Sequence, residues 1–139
     1  MRQTQTELTV ATSGPGLYEI TREVRAFARS SNMQSGQLTV FCRHTSASLV
    51  IQENADPDVQ RDLLAFFRRL VPDGDPLFIH TIEGADDMPA HVKSALTQTS
   101  LVIPLVDAHL ALGTWQGVYL FEHRQSPHTR KIVLHMMGA

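Results

Sequence analysis

The sequence lacks the features that mark several large protein classes. It has one cysteine, Cys42, so an intrachain disulfide framework is excluded, as in chains that stay in a reducing compartment. It has no run of about 18 apolar residues, so a membrane-spanning helix is not expected. The formal net charge of −2 gives no general attraction to nucleic acid or to an anionic membrane. We therefore expect a cytoplasmic protein whose partners include neither nucleic acid nor membrane.

Two families of catalytic motif are also missing. There is no glycine-rich Walker loop and no dinucleotide fingerprint, which argues against the usual nucleotide-binding folds. No Gly-x-Ser-x-Gly turn is present, so a hydrolytic serine of that kind is disfavoured. With 139 residues, of which 42% are hydrophobic, the chain is expected to form one domain over residues 1–139 around one core.

Hydrophobic spacing predicts an α+β fold: a single compact domain with three helices and an antiparallel or mixed β-sheet of about seven strands. The predicted helices are residues 18–30, a helix capped by Asp56 that ends before Pro72, and a short helix from Pro89 to about Leu96. The predicted strands are 4–12, 38–42, 47–51, 77–80, 101–106, 114–123 and 130–136.

The segment 80–94 is the richest in possible metal ligands. It contains His80, Asp86, Asp87 and His91, and imidazole with carboxylate is a ligand set that binds divalent cations at neutral pH. If a helix begins near Asp87, that carboxylate lies one turn before His91. We therefore predict a site for a divalent metal ion, Mg or Zn. The alternative is that Asp87 caps the helix and His91 covers its first turn.

Two further groups of polar residues are candidates for a site. His44, Ser46 and Ser48 share one face of an extended chain, and small hydroxyls beside an imidazole can hold phosphate oxygens. Glu122 ends an otherwise apolar strand, so it needs a partner: it is either paired with Arg124 or acts as a metal ligand or general base. Alternatively, the serine hydroxyls have a structural role and form hydrogen bonds with neighbouring strands.

Three segments together resemble a known family: HTSASLVIQENADPDVQRD, EGADDMPAHVKSAL and GTWQGVYLFEHR. They are similar to the YjbQ-type family of small bacterial and archaeal proteins, described as secondary thiamine-phosphate synthases. The resemblance covers nearly the whole chain in the same order. It implies a compact α+β fold, a homotrimer with pockets near subunit boundaries, and a reaction that joins a hydroxymethylpyrimidine diphosphate to a thiazole phosphate with release of pyrophosphate.

The resemblance and the residue chemistry together predict a metal-assisted transferase that acts on a phosphorylated small molecule. Departure of pyrophosphate is an electrostatic problem that a cation and a few oriented donors can solve. The alternatives are a metal-dependent hydrolase of a phosphate ester or amide and a non-catalytic metabolite-binding protein. The predicted catalytic residues are His44, His91 and Glu122. The predicted substrate- or phosphate-binding residues are Thr45, Ser46, Lys93, Thr114 and Gln116. The predicted metal ligands are His80, Asp86, Asp87 and His91.

Overall fold

The computed structural model describes residues 1–139 as eight strands and three helices. The strands are β1 (Arg2–Thr12), β2 (Gly16–Glu19), β3 (Gly36–Cys42), β4 (Ala47–Glu53), β5 (Ser100–Val106), β6 (His109–Leu110), β7 (Gln116–Glu122) and β8 (His128–Gly138). The helices are α1 (Thr21–Ser30), α2 (Pro57–Leu70) and α3 (Asp87–Leu96). The predicted α+β class and the three helices are confirmed. None of these helices combines the length and the apolar character that crossing a bilayer requires.

The strands form two antiparallel sheets rather than one. The larger sheet has the order β1-β8-β3-β5-β6, and the smaller has the order β2-β7-β4. Strand β8 is central to the larger sheet, and every second residue from Arg130 to Met136 is buried, as expected for one buried face. Strand β7 is central to the smaller sheet and is buried from Gly117 to Glu122. The site described below lies where β7 ends.

The hydrophobic core unites both sheets with α1. Val24 and Ala28 of α1 are buried one turn apart and belong to the same apolar cluster as Leu49, Leu120 and Leu134 from three strands. Each leucine or valine of this cluster that is fully removed from water contributes roughly 1.5–3 kcal/mol. The core therefore fixes the position of β7, and with it the residues that follow this strand.

Helix α2 begins as its sequence predicts. The Asp56 carboxylate accepts a hydrogen bond from the Asp58 amide at 2.9 Å, and Pro57 occupies the first helical position. Helix α3 begins two residues earlier than predicted, at Asp87 rather than Pro89. The prediction of a strand at 77–80 is wrong: Leu77 and Ile79 are 85% and 97% exposed and have no neighbouring strand to pair with.

The remaining differences are at the ends of elements. Helix α1 begins at Thr21 rather than residue 18, because residues 16–19 pair with β7 as a short strand that the periodicity did not reveal. Strands β1 and β8 extend beyond their predicted limits because they pair with each other in register, Arg2 with Gly138 and Thr12 with His128.

Candidate metal centre at the start of α3

Three of the predicted metal ligands converge at the start of α3. The Asp87 Oδ2 atom lies 2.6 Å from His80 Nε2 and 3.1 Å from His91 Nε2. One potential ligand atom from each of these residues lies within 4.8 Å of the other two. Asp87 and His91 meet because residues four apart lie on one face of a helix. His80 reaches them from the irregular connection between α2 and α3.

The hydrogen bonds of His91 leave room for a cation. Its Nδ1 lies 2.9 Å from the backbone carbonyl of Thr45, and its Nε2 faces the Asp87 carboxylate. A neutral imidazole has one N–H and can donate to one of these two oxygens. If Nδ1–H donates to the carbonyl, the lone pair of Nε2 points at the cluster, which is how metal-binding histidines are commonly oriented. A divalent ion placed between them would accept both the lone pair of His91 Nε2 and that of the Asp87 carboxylate.

Arg124 holds the acidic residues of this centre in place. Its Nη1 donates to Asp87 Oδ1 at 2.7 Å, and its Nε donates to Asp86 Oδ2 at 3.0 Å. The first bond occupies one oxygen of Asp87 and leaves Oδ2 for the histidines. The backbone amide of Gln125 also donates to Asp86 Oδ2, at 2.9 Å. Asp86 is therefore bound to Arg124 and the backbone and does not join the cluster with His80 and His91.

Both acids are stabilised as carboxylates. Burial by itself would raise the pKa of Asp87, but the hydrogen bond from His80 and the charges of His91 and Arg124 lower it below its ordinary value. Burial would likewise raise the pKa of Asp86, but the hydrogen bonds from Gln125 and Arg124 outweigh it, so this pKa is also lowered. A buried, ionised Asp87 beside two imidazoles suits a divalent cation.

Glu122 is not part of this cluster. Its side chain is fully buried, and its Oε1 atom accepts hydrogen bonds from Arg130 Nε at 2.7 Å and from Thr12 Oγ1 at 2.6 Å. The amides of His123 and Arg124 donate to its Oε2 atom, at 3.0 and 3.1 Å. Glu122 is therefore paired with an arginine, as one of the two interpretations predicted, but the partner is Arg130 of β8 and not Arg124. Every lone pair that a base or ligand needs is thus already engaged.

The segment after β3 contacts the cluster through its backbone and not through its side chains. The Nε2 atom of His44 accepts a hydrogen bond from the Lys131 amide at 2.8 Å. Burial and the nearby charge of Arg130 lower the pKa of His44, which keeps it in the neutral form that accepts this bond. Ser46 is bound through its hydroxyl to Arg130 Nη2 at 3.0 Å. Thr45 reaches the cluster through its carbonyl oxygen, and its exposed side chain has no hydrogen bond.

The other predicted binding residues lie elsewhere. Gln116 and Thr114 are at the opposite end of β7 from Glu122, roughly 20 Å along the strand at 3.3 Å per residue. There the Gln116 side chain accepts a hydrogen bond from the Gly113 amide at 2.8 Å and closes a local turn. Lys93 is on α3 but two residues beyond His91, which on a helix is nearly the opposite face. These residues do not contact the cluster within this chain.

Two contributors to the region escaped the sequence prediction. Arg124 was expected beside Glu122, yet it supports Asp86 and Asp87. His123 is 3% exposed, and its Nε2 lies 2.9 Å from the hydroxyl of Ser48. Burial and the charge of Lys93 lower the pKa of His123 to about 3, so it is neutral at pH 7. Three successive polar residues, Glu122 to Arg124, at the end of an apolar strand indicate that their side chains have specific partners. These partners are distant in sequence, so the sequence alone did not identify them.

A cavity lies next to the cluster. Its volume is about 390 Å³, and its walls include Phe78, His80, Thr81, Met88 and Pro89. This volume is within the range of small-molecule sites, and the mixture of apolar walls and a few polar groups is typical of them. A molecule in this cavity would contact a metal ion at the cluster from the side of His80.

The sequence matches one family over nearly all of its length. Residues 6–139 match the family described as UPF0047 protein YjbQ-like. A UPF0047 protein of Synechocystis is 53% identical over 99% of this chain and 93% of its own length. The UPF0047 protein YjbQ of Escherichia coli O157:H7 is 41% identical over 96% of this chain and 97% of its own length.

Solved structures have the same fold. A YjbQ/UPF0047 family protein of Clostridium acetobutylicum superposes with a TM-score of 0.88 at 34% identity, over 95% of this chain and 99% of that one. A hypothetical protein of Aeropyrum pernix K1 gives a TM-score of 0.90 at 28% identity, over 98% of this chain and 99% of that one. The resemblance noted in the sequence is therefore confirmed: this chain belongs to the YjbQ-like UPF0047 family.

Proposed function

We propose that His80, Asp87 and His91 bind a divalent metal ion and that this ion binds the phosphate of a small-molecule substrate. The observation that carries the proposal is the convergence of two Nε2 atoms on one buried carboxylate oxygen, at 2.6 and 3.1 Å. Three protein ligands leave a coordination position for substrate, as catalytic centres require. The contact between Arg124 and Asp87 Oδ1 supplies the support that metal ligands commonly have behind them.

The ligand set favours zinc over magnesium. Magnesium prefers oxygen ligands and retains several waters, whereas imidazole suits zinc and its neighbours in the first transition series. Two of the three donors here are imidazole nitrogens. Of the two cations predicted from the sequence, we therefore propose zinc as the one that binds more tightly in the absence of substrate.

The reaction that we propose is group transfer with loss of pyrophosphate, as the resemblance to secondary thiamine-phosphate synthases implies. A bound cation would neutralise the charge that grows on the leaving diphosphate. Such a reaction needs no strong base. The sealed position of Glu122, bound by Arg130 and Thr12, weighs against the alternative hydrolase in which this residue activates water.

Metal binding is tested first. Isothermal titration of the purified, chelator-treated protein with zinc should give one site per chain, and His91→Ala should weaken it by about 100-fold or more, since one of three ligands is lost. His109→Ala is the matched control, because His109 is exposed and outside the cluster. Equal zinc binding by the His91 variant and the wild type would reject the metal centre.

The transferase is tested by incubating the protein with both phosphorylated precursors and zinc or magnesium. We expect a condensed product and pyrophosphate from the wild type and from His109→Ala, but neither from His91→Ala. Metal binding without any product would reject the transferase and retain the metal centre. Precursor binding that persists in chelator without turnover would favour the non-catalytic alternative.

We further propose that the protein forms the homotrimer that the resemblance implies. Support comes from the connection that contains His80, where Leu77, Ile79 and Ile82 are 85%, 97% and 89% exposed. Apolar side chains so close together and so exposed are typical of a surface that another chain covers. A trimer of this kind would place a second copy next to the cavity at His80.

Light scattering tests the assembly. The wild type should have the mass of a trimer, and the double variant Ile79→Glu, Ile82→Glu should dissociate. Phe66→Glu, at an exposed apolar position on α2, is the control for adding charge. A wild type that is monomeric at micromolar concentration would reject the trimer, and a trimeric double variant would place its interface elsewhere.

A further inference from the structure

Lys93 faces a second cavity, on the other side of α3 from the metal centre. Two residues along a helix correspond to a rotation of about 200°, so Lys93 and His91 point in nearly opposite directions. His91 contacts the segment after β3, whereas Lys93 lines a cavity against α2 and the end of β7. The ammonium group of Lys93 has no hydrogen bond or ion pair, although its side chain is partly buried.

This cavity, which we name the Lys93 cavity, is small and has an apolar wall. Its volume is about 130 Å³, and its apolar walls are Leu64, Phe67 and Phe121. The rings of Phe67 and Phe121 meet edge to face with centroids 5.3 Å apart, so this side is rigidly packed. An engineered cavity of about 150 Å³ holds benzene, so the Lys93 cavity would hold about six non-hydrogen atoms.

The polar lining of the Lys93 cavity is positive on balance. Lys93 and Arg68 are two cations without an ion-pair partner. Asp73 also lines the cavity and carries one negative charge, and its carboxylate accepts a hydrogen bond from the Gln125 side chain. Glu122 also borders the cavity, but its charge is neutralised by Arg130. One positive charge is therefore left to attract an anion.

The contacts of Lys93 point the same way. Its ammonium group has no hydrogen bond or ion pair within the chain, and an anion in the cavity would supply a partner. His123, whose ring forms another part of the lining, is neutral and packs against Phe121 with centroids 4.4 Å apart. It extends the ring-lined wall and leaves the charge to Lys93 and Arg68.

We propose that the Lys93 cavity is a second ligand site, separate from the metal centre, for a small carboxylate with a compact aliphatic body. The carboxylate would pair with Lys93 and Arg68, and the aliphatic part would lie against Leu64, Phe67 and Phe121. Butyrate, with six non-hydrogen atoms, is a probe of the right size and charge. This proposal does not depend on the metal centre or on the transferase reaction.

The test is titration of the ¹⁵N-labelled, full-length protein with butyrate, followed by amide chemical shifts. We expect saturable shifts in residues around the end of α2, the middle of α3 and the end of β7. Butyramide has the same shape without the charge and should bind at least about tenfold more weakly, because a charge-assisted hydrogen bond is lost. Inorganic phosphate, which has the charge without the aliphatic body, should also bind more weakly than butyrate.

Variants decide which residues are responsible. Lys93→Met retains the aliphatic stem and should lower butyrate affinity by about tenfold or more, as should Arg68→Ala. Arg69→Ala is the matched control, since Arg69 is exposed and does not line the cavity. Arg68 is exposed as well, so its variant is informative even if Lys93→Met fails to fold.

Several results would overturn the proposal. Absence of saturable shifts with butyrate, or equal binding of butyrate and butyramide, would show that no anion site exists here. Unchanged binding in Arg68→Ala would do the same. Loss of butyrate binding in His91→Ala, or on addition of a chelator, would assign the anion to the metal centre. Retained binding in His91→Ala, together with loss in the Lys93 and Arg68 variants, would establish a separate site.

Discussion

Substitution of Glu122 by Gln distinguishes a residue that holds the fold from one that reacts. Glu122 is fully buried, and its carboxylate accepts hydrogen bonds from Arg130, Thr12 and two backbone amides. Glutamine keeps the shape but removes the charge, and its amide nitrogen faces donors instead of acceptors. Arg130, which is 3% exposed, would be left without a counter-ion. We therefore expect a large loss of stability and no direct effect on metal binding.

The structure sets the size of this loss. Removing one partner of a buried ion pair costs about 3–5 kcal/mol. For a chain of this size that corresponds to a fall in melting temperature of roughly 10–15 °C. Glu7→Gln is the control, because Glu7 and Arg43 form an ion pair of 2.8 Å whose side chains are 39% and 57% exposed. Such exposed pairs contribute about 0–1 kcal/mol. Urea and thermal denaturation, followed by circular dichroism, measure both variants.

The stability of the protein at acid pH tests the role of Glu122 in a second way. Burial would raise the pKa of Glu122, but the bonds from Arg130 and Thr12 outweigh it and lower the pKa below the ordinary 4.5. A lowered pKa in the folded state means that the stabilisation is complete above about pH 4.5 and is lost as the pH falls further. Glu122→Gln should lack this part of the acid dependence. A variant within about 1 kcal/mol of the wild type, or one that is stable but has lost zinc binding, would refute the structural role.

Three other substitutions test separate parts of the molecule. Arg124→Lys removes the bond to Asp87 Oδ1 and should weaken zinc binding about 10- to 100-fold in isothermal titration; an unchanged affinity would show that Asp87 needs no such support. His123→Gln should reduce the loss of stability between pH 6.5 and about 3, because the wild-type histidine takes up its proton in the unfolded state but stays neutral when folded; urea midpoints across this range measure it, and parallel profiles would contradict it. Gly36→Ala should destabilise the fold by about 1–3 kcal/mol, since an added Cβ would lie 2.2 Å from the Met137 carbonyl oxygen; an unchanged urea midpoint would contradict this.

The convergence of the three candidate metal ligands was largely predictable because its geometry is local. The helical period alone brings Asp87 and His91 together, and His80 is close to both in sequence. Asp86, the fourth predicted ligand, lies outside the cluster that contains Asp87. Asp86 precedes the first helical residue, and its carboxylate is held by Arg124 and the Gln125 amide, which the spacing of residues does not reveal.

The support behind the centre was not predictable from local sequence. Glu122 and Arg124 are two residues apart and looked like partners. Their true partners are on other elements: Glu122 pairs with Arg130 across the two sheets, and Arg124 pairs with the two acids at the start of α3. Strand pairing and the packing of one sheet on another decide such contacts, and neither follows from the spacing of residues along one strand. The split of the strands into two sheets was missed for the same reason.

The three candidate metal ligands come from one short segment of the chain, and this has a consequence for stability. His80, Asp87 and His91 all come from the segment 80–91, so bringing them together closes only a short loop and needs little of the tertiary structure. The denatured chain would therefore retain some capacity to chelate the proposed cation. Because a ligand stabilises the native state only by the difference between its affinities for the folded and unfolded chain, zinc should raise the melting temperature less than its affinity for the folded protein alone would indicate.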